Sequence, residues 1–177
     1  MASSKPVALI VGASRGIGRQ IAIDLAKNGY RGTPISNRTP QENYLTSPTV
    51  VVAAKSTSDA STTQPFPPDP NSRASTINTV SREIIEASGD ATAIPVDTRD
   101  AESVKRMVDE TVNVYGRLDV VVYNSGAIWW ASVEKTPVKR FQLMQRVNVE
   151  GRFCVSCGYS IRPFGGLYPF VTRRRVL

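Results

Sequence analysis

The sequence predicts an α/β fold, a doubly wound parallel sheet with helices on both of its faces. Continuous apolar runs, of which VALIV at residues 7–11 is the clearest, are typical of strands buried on both faces of a sheet. Helical patterns separate these runs and give the order β-α-β-α-β-α-β-α. The 177 residues, 41% hydrophobic and 21% charged, suffice for one domain with a sizeable core.

The first strand and helix follow each other directly. Strand one ends at Gly12, and Gly29 lies just past the end of the helix as a C-cap. The apolar positions of this helix, spaced at steps of four, are Ile17, Ile21 and Leu25. A second buried strand is predicted at residues 50–54.

Two segments depart from the regular alternation. Residues 30–48 are polar and rich in turn residues, and a connection of this length is uncommon in a compact α/β unit, so we interpret them as an atypical insertion. Residues 56–75 contain the sequence PFPPDP and few apolar residues, which predicts a mobile surface loop.

Regular patterns return after residue 75. The second helix is predicted to end at Gly89, and its apolar residues are Ile77, Val80, Ile84 and Ile85. A third strand covers residues 91–96. The third helix begins at the N-cap Asp100 and ends at Gly116, and its buried face is predicted to contain Val104, Met107, Val108, Thr111 and Tyr115.

The last predicted elements are a fourth strand at residues 118–122 and a fourth helix that begins near Pro137. The apolar positions of this helix are Phe141, Met144 and Val147. We expect one domain over residues 1–155 and an irregular tail over 156–177. The expected strand order is 3-2-1-4, which leaves strand four at an open edge and favours self-association.

A glycine-rich turn joins the first strand to the first helix, with the sequence Gly12-Ala13-Ser14-Arg15-Gly16-Ile17-Gly18. A glycine motif between a strand and a helix is the context that a dinucleotide-binding turn requires. Gly12 permits the tight turn, Gly16 allows the backbone to approach a pyrophosphate, and Gly18 allows the helix to pack closely on the strand. The helix N-terminus then offers free N–H groups to the phosphate.

The spacing G-x-x-x-G-x-G resembles the short-chain dehydrogenase/reductase family, and four further markers agree with it in order. They are Val96-Asp97, Gly116-Arg117-Leu118-Asp119, Asn124-Ser125-Gly126 and Val147-Asn148-Val149-Glu150-Gly151. Residues 53–56 and 136–151 resemble the hydroxysteroid-dehydrogenase-like branch of the family. The resemblance covers residues 5–29 and 49–155 and implies a Rossmann-like sheet, incomplete here because four strands are predicted.

The resemblance also implies roles for individual residues. Asp97 would accept a hydrogen bond from the adenine amino group, and Asn124 and Gly126 would line the nicotinamide ribose. Asn148 would support a water chain to the catalytic lysine and is the one predicted catalytic residue; the alternative is a helix-bend residue without a separate role. The predicted cofactor-binding residues are Gly12, Ser14, Arg15, Gly16, Ile17, Gly18, Lys55, Ser56, Asp97, Asn124, Gly126 and Val147.

The end of the second strand favours NADP over NAD. NAD preference usually depends on an acidic residue there that binds the ribose hydroxyls, and this chain has Ala54, Lys55 and Ser56 instead. Lys55 and Arg15 are placed to meet a 2′-phosphate. The alternative is that Lys55 is a solvated surface charge.

The family's proton-transfer residues are a tyrosine, a lysine four residues later and an upstream serine. In this sequence Tyr159 is followed at the fourth position by Pro163, and Tyr168 by Thr172. The sequence therefore predicts an NADP-binding oxidoreductase by descent, acting on a carbonyl or alcohol but catalytically incomplete. The alternative is a non-catalytic module that binds a nucleotide or a partner.

Charge and cysteine content limit other functions. The net charge of +7 suits an anionic cofactor, and the sequence has no alternating aromatic and basic residues of the kind that bind a nucleic-acid strand. Cys154 and Cys157 form a C-x-x-C pair, but the chain has no histidine to complete a zinc site, which favours two reduced thiols. We expect no metal and no membrane span, and a homo-oligomer remains an open alternative. We also expect an intracellular, cytoplasmic location, with mitochondrial and peroxisomal locations as open alternatives.

Overall fold

The computed structural model describes residues 5–28, 49–55, 75–160 and 170–172. Its sheet is parallel throughout, with the strand order β3-β2-β1-β4-β5. The strands are β1 (Val7–Val11), β2 (Thr49–Ala54), β3 (Asp90–Pro95), β4 (Val120–Tyr123) and β5 (Phe170–Thr172). The predicted parallel sheet and the order of its first four strands are confirmed.

The helices alternate with the strands, as predicted, up to the end of β4. They are α1 (Gly16–Asn28), α2 (Ile77–Glu86), α3 (Ala101–Tyr115), α4 (Val138–Gln145) and α5 (Gly151–Ser160). A short 3₁₀ turn at Val133–Lys135 precedes α4, and a π-helical turn at Arg146–Glu150 joins α4 to α5. Asp100 caps α3 at its start and Gly116, with φ 68°, ends it, both as predicted.

Strand β1 lies at the centre of the sheet, between β2 and β4. All five of its residues are fully buried, which agrees with its unbroken apolar sequence. Alternate residues face opposite sides of the sheet. Leu9 packs with residues of α3 and α5, and Ile10 packs with residues of α1 and α2. The sheet is therefore covered by helices on both faces.

The apolar faces of the first two helices differ from the prediction. In α1, the predicted residues Ile21 and Leu25 are partly buried and pack against the core, but Ile17 is 44% exposed. Ala22, Ile23 and Ala26 are buried as well. Small side chains fill this face because α1 approaches the sheet closely, at Gly18. In α2, Ile85 is 54% exposed, although it was expected on the buried face with Ile84.

The predicted helix stop at Gly89 also needs correction. Helix α2 ends at Glu86, and the left-handed residue after it is Ser88, with φ 65°. Gly89 matters for packing instead, because a Cβ there would lie 2.6 Å from Cγ2 of Ile84. The turn at Ala87 and Ser88 therefore ends the helix. Because Gly89 has no side chain, the chain can pass close to Ile84.

The region after residue 151 is more regular than expected. Helix α5 continues to Ser160, and Phe170–Thr172 pairs with β4 in the register Val121↔Phe170 and Tyr123↔Thr172. The expected open edge at β4 is therefore wrong, because β5 covers it. The fourth strand itself spans Val120–Tyr123 instead of residues 118–122.

Several predictions fall outside the described residues. These are the C-cap role of Gly29, the insertion at 30–48, the cofactor role of Ser56, and the loop at 56–75 apart from Ser75. Within the described ranges, none of the helices is long and apolar enough to cross a membrane. The same part of the chain contains no group of three or more His, Cys, Asp or Glu side chains that could hold a metal ion.

Candidate cofactor-binding site

The glycine-rich turn depends on two glycines for its shape. Gly12 has φ 89°, and a Cβ at this position would lie 2.5 Å from the backbone nitrogen of Ser125. A Cβ at Gly18 would lie 2.1 Å from the carbonyl oxygen of Gly12. Because real Cβ atoms do not approach backbone atoms this closely, both positions exclude any side chain. The structure thus gives Gly12 and Gly18 the turn and packing roles that the sequence predicted for them.

Gly16 begins α1 and has φ 58°, in the left-handed region that favours glycine. The first turn of α1 contains no acidic residue. No carboxylate of that turn therefore competes for its N–H groups, and the positive end of the helix faces the carboxyl edge of the sheet. This arrangement suits an anion such as a phosphate or a carboxylate.

Hydrogen bonds fix the glycine-rich turn to its surroundings. The backbone N–H of Gly12 donates to the carbonyl of Ala53 at the end of β2, at 2.7 Å. The hydroxyl of Ser75, which is 1% exposed, donates to the carbonyl of Ser14 at 2.6 Å. Sequence reasoning missed Ser75, because a serine at the end of a loop carries no signal for a contact with a residue 61 positions away.

A partly buried ion pair joins the two helices behind this turn. A guanidinium nitrogen of Arg19 lies 2.5 Å from a carboxylate oxygen of Glu83, and the Arg19 side chain is only 10% exposed. The pair connects the first turns of α1 to α2. It therefore holds the start of α1 in a fixed position relative to the second helix.

Charged side chains cluster where β2 and β3 end. Asp97 Oδ2 lies 3.1 Å from Nζ of Lys55 and 2.5 Å from Nη2 of Arg99, and Asp97 Oδ1 accepts from Nε of Arg99 at 2.8 Å. The hydrogen bond from the Arg99 side chain, assisted by Lys55, lowers the pKa of Asp97 far below its usual range. Sequence reasoning identified Lys55 and Asp97 but not Arg99.

The segment after β4 lies against the glycine-rich turn. The backbone N–H of Asn124 donates to the carbonyl of Val11 at 2.8 Å, and its side-chain amide lies 3.4 Å from the carbonyl oxygen of Gly12. Gly126 is exposed, and a Cβ there would lie 3.6 Å from Oδ1 of Asn148, an ordinary contact. Gly126 therefore has no steric need to be glycine.

Asn148 holds this segment from the π-helical turn. Its Oδ1 accepts from the backbone N–H of Ala127 at 2.8 Å, and its Nδ2 donates to the Ala127 carbonyl at 2.9 Å. Such π turns occur often at functional sites. The structure therefore places Asn148 as a clamp on the chain that follows β4.

Tyr123, at the end of β4, forms a second contact with the π-helical turn. It is 4% exposed, and its hydroxyl donates to the carbonyl of Val147 at 2.5 Å. Burial raises the pKa of Tyr123 above its usual value. A Cβ at Gly151 would lie 2.7 Å from the Tyr123 hydroxyl oxygen, so Gly151 makes room for this ring. Tyr123 thus anchors the π-helical turn to the end of β4.

These contacts bring the described site residues to one edge of the sheet. The glycine-rich turn follows β1, Lys55 follows β2, Asp97 follows β3 and Asn124 follows β4. Val147 and Asn148 reach the same edge from the π-helical turn. Parallel sheets bind ligands at this carboxyl edge.

Comparisons with known proteins agree with the fold. The family model described as short chain dehydrogenase matches residues 71–159. The bovine (Bos taurus) hydroxysteroid dehydrogenase-like protein 2 is 35% identical over 147 residues, which are 83% of this chain and 28% of that protein. The human protein of the same name is 33% identical over the same length. The chain thus spans between a quarter and a third of these relatives.

Solved structures show the same architecture. A short chain dehydrogenase from Mycobacterium thermoresistibile has 33% sequence identity and a TM-score of 0.70, covering 94% of this chain and 50% of that one. A dehydrogenase/reductase from Sinorhizobium meliloti has 28% identity and a TM-score of 0.64, covering 89% and 49%. The chain therefore spans about half the length of these neighbours.

Proposed function

Because this chain belongs to the short-chain dehydrogenase family, we propose that the carboxyl edge of its sheet binds NADP. The bound cofactor would exchange a hydride with a carbonyl or alcohol substrate. One observation carries the cofactor part of this proposal. Gly12 and Gly18 leave no room for side chains between β1 and α1, and the first turn of α1 contains no acidic residue that would compete with an anion for its N–H groups. The diphosphate of the dinucleotide would bind there.

The preference for NADP over NAD rests on charge at the end of β2. Lys55 follows Ala54 directly, and its side chain is 69% exposed. An NAD site would need an acidic acceptor for the ribose hydroxyls at this place. A lysine suits the 2′-phosphate of NADP instead, because the two groups have opposite charge.

The remaining roles follow the family resemblance. Asn124 would line the nicotinamide ribose side of the cleft. Asn148 would act as a positioning residue, since its carboxamide is engaged with the Ala127 backbone. The hydride itself would pass between the nicotinamide ring and the substrate carbon, while this chain's residues orient the cofactor.

A second candidate function is nucleotide binding without turnover. The observation that favours it is that no tyrosine in this sequence is followed four residues later by lysine. The family uses that pair for proton transfer to the carbonyl oxygen. Oxidation of NADPH in the presence of a panel of aldehydes and ketones separates the two candidates: turnover supports the oxidoreductase, and binding without turnover supports the second.

Calorimetric titration with NADPH and NADH tests the cofactor proposal. We expect saturable binding of NADPH that is tighter than that of NADH. Gly16→Asp should abolish it, because a carboxylate would then occupy the anion site, and aspartate tolerates a left-handed backbone better than most residues. Gly116→Asp is the matched control, because Gly116 has φ 68° and lies at the far end of α3. Loss of binding in both variants, or in neither, would contradict the proposal.

A further inference from the structure

The two cysteines of the sequence lie on one turn of α5, outside the proposed cofactor site. Cys154 and Cys157 are partly buried residues of this helix, and both have free thiols. Residues three positions apart are neighbours on one face of a helix. The sequence contains no other cysteine, so a disulfide within one chain can join only this pair.

The helix brings the two thiols close to the geometry of a disulfide. Cα atoms three residues apart in an α-helix are separated by about 5 Å, and a disulfide joins Cα atoms about 4.4–6.8 Å apart. The Cβ atoms must approach from about 5–6 Å to about 3.5–4.5 Å. A tightening of this turn toward 3₁₀ geometry brings them together, because side chains three residues apart eclipse in a 3₁₀ helix. A local change in α5 is therefore sufficient for the bond to form.

The surroundings of the two thiols differ. Cys154 packs against the core cluster that contains Val108, Tyr123 and Val155. Cys157 lies almost one turn further along α5, beside Gly158, where a Cβ would lie 3.5 Å from Cγ2 of Val108. The core contact restricts access to the Cys154 sulfur, so a reagent from solvent meets Cys157 first.

From this geometry we propose that Cys154 and Cys157 form a reversible dithiol–disulfide site, which a hydroperoxide such as hydrogen peroxide oxidises. The thiolate of Cys157 attacks a peroxide oxygen, the O–O bond breaks, and a sulfenic acid and hydroxide form. The sulfur of Cys154 then attacks the sulfur of Cys157, and the S–O bond breaks. The released thiol protons complete two water molecules. In total, two thiols are oxidised to one disulfide and one hydrogen peroxide is reduced to two waters.

The same geometry makes the bond reversible. An α-helical turn holds the Cβ atoms further apart than a disulfide requires, so the regular helix opposes the oxidised form. Strained disulfides are the ones that thiols reduce readily. The site is therefore a dithiol at rest and a disulfide only in the presence of an oxidant.

The turn that would tighten has little freedom to move on its own. Val155, between the two cysteines, is fully buried. At the start of α5, a Cβ on Gly151 would lie 2.5 Å from the carbonyl oxygen of Thr98 and 2.7 Å from the hydroxyl oxygen of Tyr123. Because the backbone of α5 is packed this closely, a change of helical geometry at the cysteines displaces the start of the helix.

That displacement reaches the segment after β4. Helix α5 continues directly from the π-helical turn, in which Val147 accepts from Tyr123 and Asn148 binds Ala127. Oxidation should weaken these contacts and, on the premise of the proposed function, the cofactor cleft as well. The affinity for NADPH should then fall about fivefold, as for the loss of one hydrogen bond.

Peptide mapping of the folded full chain after treatment with hydrogen peroxide tests the site. No lysine or arginine lies between Cys154 and Cys157, so trypsin leaves both in one peptide. We expect that peptide to lose the mass of two hydrogen atoms and to regain it with dithiothreitol. The proposal is wrong if the two thiols remain free, if they are oxidised only to sulfinic or sulfonic acids, or if the disulfide joins two chains.

The double variant Ser156→Cys/Cys157→Ser is the matched control. It has the same number of thiols but places them two residues apart. We expect its disulfide to form about tenfold more slowly than that of the wild type, because side chains two residues apart on a helix do not face each other. Equal rates would show that the helix does not bring the native pair together, and the proposal would fail.

A reagent that traps sulfenic acids, such as dimedone, tests the order of attack. Cys154→Ser removes the partner of Cys157, so labelled Cys157 should accumulate after peroxide treatment. Cys157→Ser should label less, because Cys154 packs against the core. Stronger labelling of Cys154 would refute the assignment of Cys157 as the attacking thiol.

NMR spectra of the reduced and oxidised chain test the connection to the carboxyl edge. We expect the amide resonances of Ala127, Val147 and Asn148 to shift on oxidation and to return with dithiothreitol. If the disulfide forms and these resonances do not move, the connection is wrong and the dithiol site stands. If the folded, reduced chain binds neither NADPH nor NADH, the proposed function is wrong, and peptide mapping still decides the disulfide.

Discussion

The carboxamide of Asn148 forms both of its hydrogen bonds with one residue, Ala127, accepting from its N–H at 2.8 Å and donating to its carbonyl at 2.9 Å. The contact joins residues 21 positions apart and ties the π-helical turn to the segment that follows β4. That segment includes Asn124 and Gly126, which the family resemblance assigns to the cofactor. The position of one side of the cleft thus depends on Asn148.

Asn148→Ala should release the Ala127 backbone. We expect the Ala127 amide to exchange with solvent faster, and the free energy of unfolding to fall by about 1 kcal/mol, since exposed hydrogen bonds contribute modestly. Hydrogen exchange followed by NMR, together with urea denaturation, measures both. Gln142→Ala removes an exposed carboxamide from α4 and is the matched control. Unchanged exchange at Ala127 in the Asn148 variant would show that the clamp is unimportant.

Two glycines of the site should respond differently to alanine. Gly18→Ala places a Cβ 2.1 Å from the Gly12 carbonyl oxygen and should destabilise the chain by about 1–3 kcal/mol and weaken NADPH binding. Gly126→Ala meets only Asn148 Oδ1, at 3.6 Å, and should leave stability and binding nearly unchanged. Chemical denaturation and NADPH titration of the pair provide the comparison. Similar effects at the two positions would contradict the geometry of the turn.

Tyr123→Phe should cost stability because it leaves the Val147 carbonyl without its hydroxyl donor. The expected loss is about 1 kcal/mol at neutral pH, as for a partly buried hydrogen bond with one partner removed. Urea denaturation measures it. A variant as stable as the wild type would mean that Val147 finds another donor.

The same tyrosine predicts a pH dependence. Burial raises the pKa of Tyr123 in the folded chain above its unfolded value of about 10. The folded state therefore keeps the hydroxyl proton up to a higher pH than the unfolded state does. The contribution of Tyr123 to the free energy of unfolding is complete below about pH 10 and is lost as the pH rises through the folded pKa. The stability difference between the wild type and Tyr123→Phe should shrink between about pH 9 and pH 11. A constant difference over that range would be inconsistent with a buried hydroxyl.

The sequence predicted the centre of the fold well because its information is local. A short unbroken apolar run such as Val7–Val11 is typical of a strand that is buried on both faces. Asp100 and Gly116 mark the two ends of α3 by their own conformational preferences. The three-residue strand β5 could not be predicted in this way. Its pairing with β4 comes from a contact 49 residues away, as between Val121 and Phe170, in a segment rich in proline and glycine.

The residues of the site that could be predicted are likewise those whose role depends on local sequence. The glycine spacing predicted the turn, because the requirement for glycine lies in the backbone of Gly12 and Gly18 themselves. Ser75 and the anchoring role of Tyr123 were missed because their partners lie 61 and 24 positions away. Arg99 was missed because no motif marks it, although its partner Asp97 is close in sequence. The buried face of α1 was predicted correctly at Ile21 and Leu25 but not at Ile17, and the alanines that pack where α1 lies close to the sheet were missed.

The most direct measurement of the central claim is an NMR titration of the amide resonances of Gly16, Ile17 and Gly18 with NADPH. If the first turn of α1 holds the diphosphate, these amides should shift saturably and together, and the Lys55 amide should shift with NADPH more than with NADH. A folded chain in which they do not respond, or in which the saturable shifts lie away from the carboxyl edge of the sheet, would contradict the account.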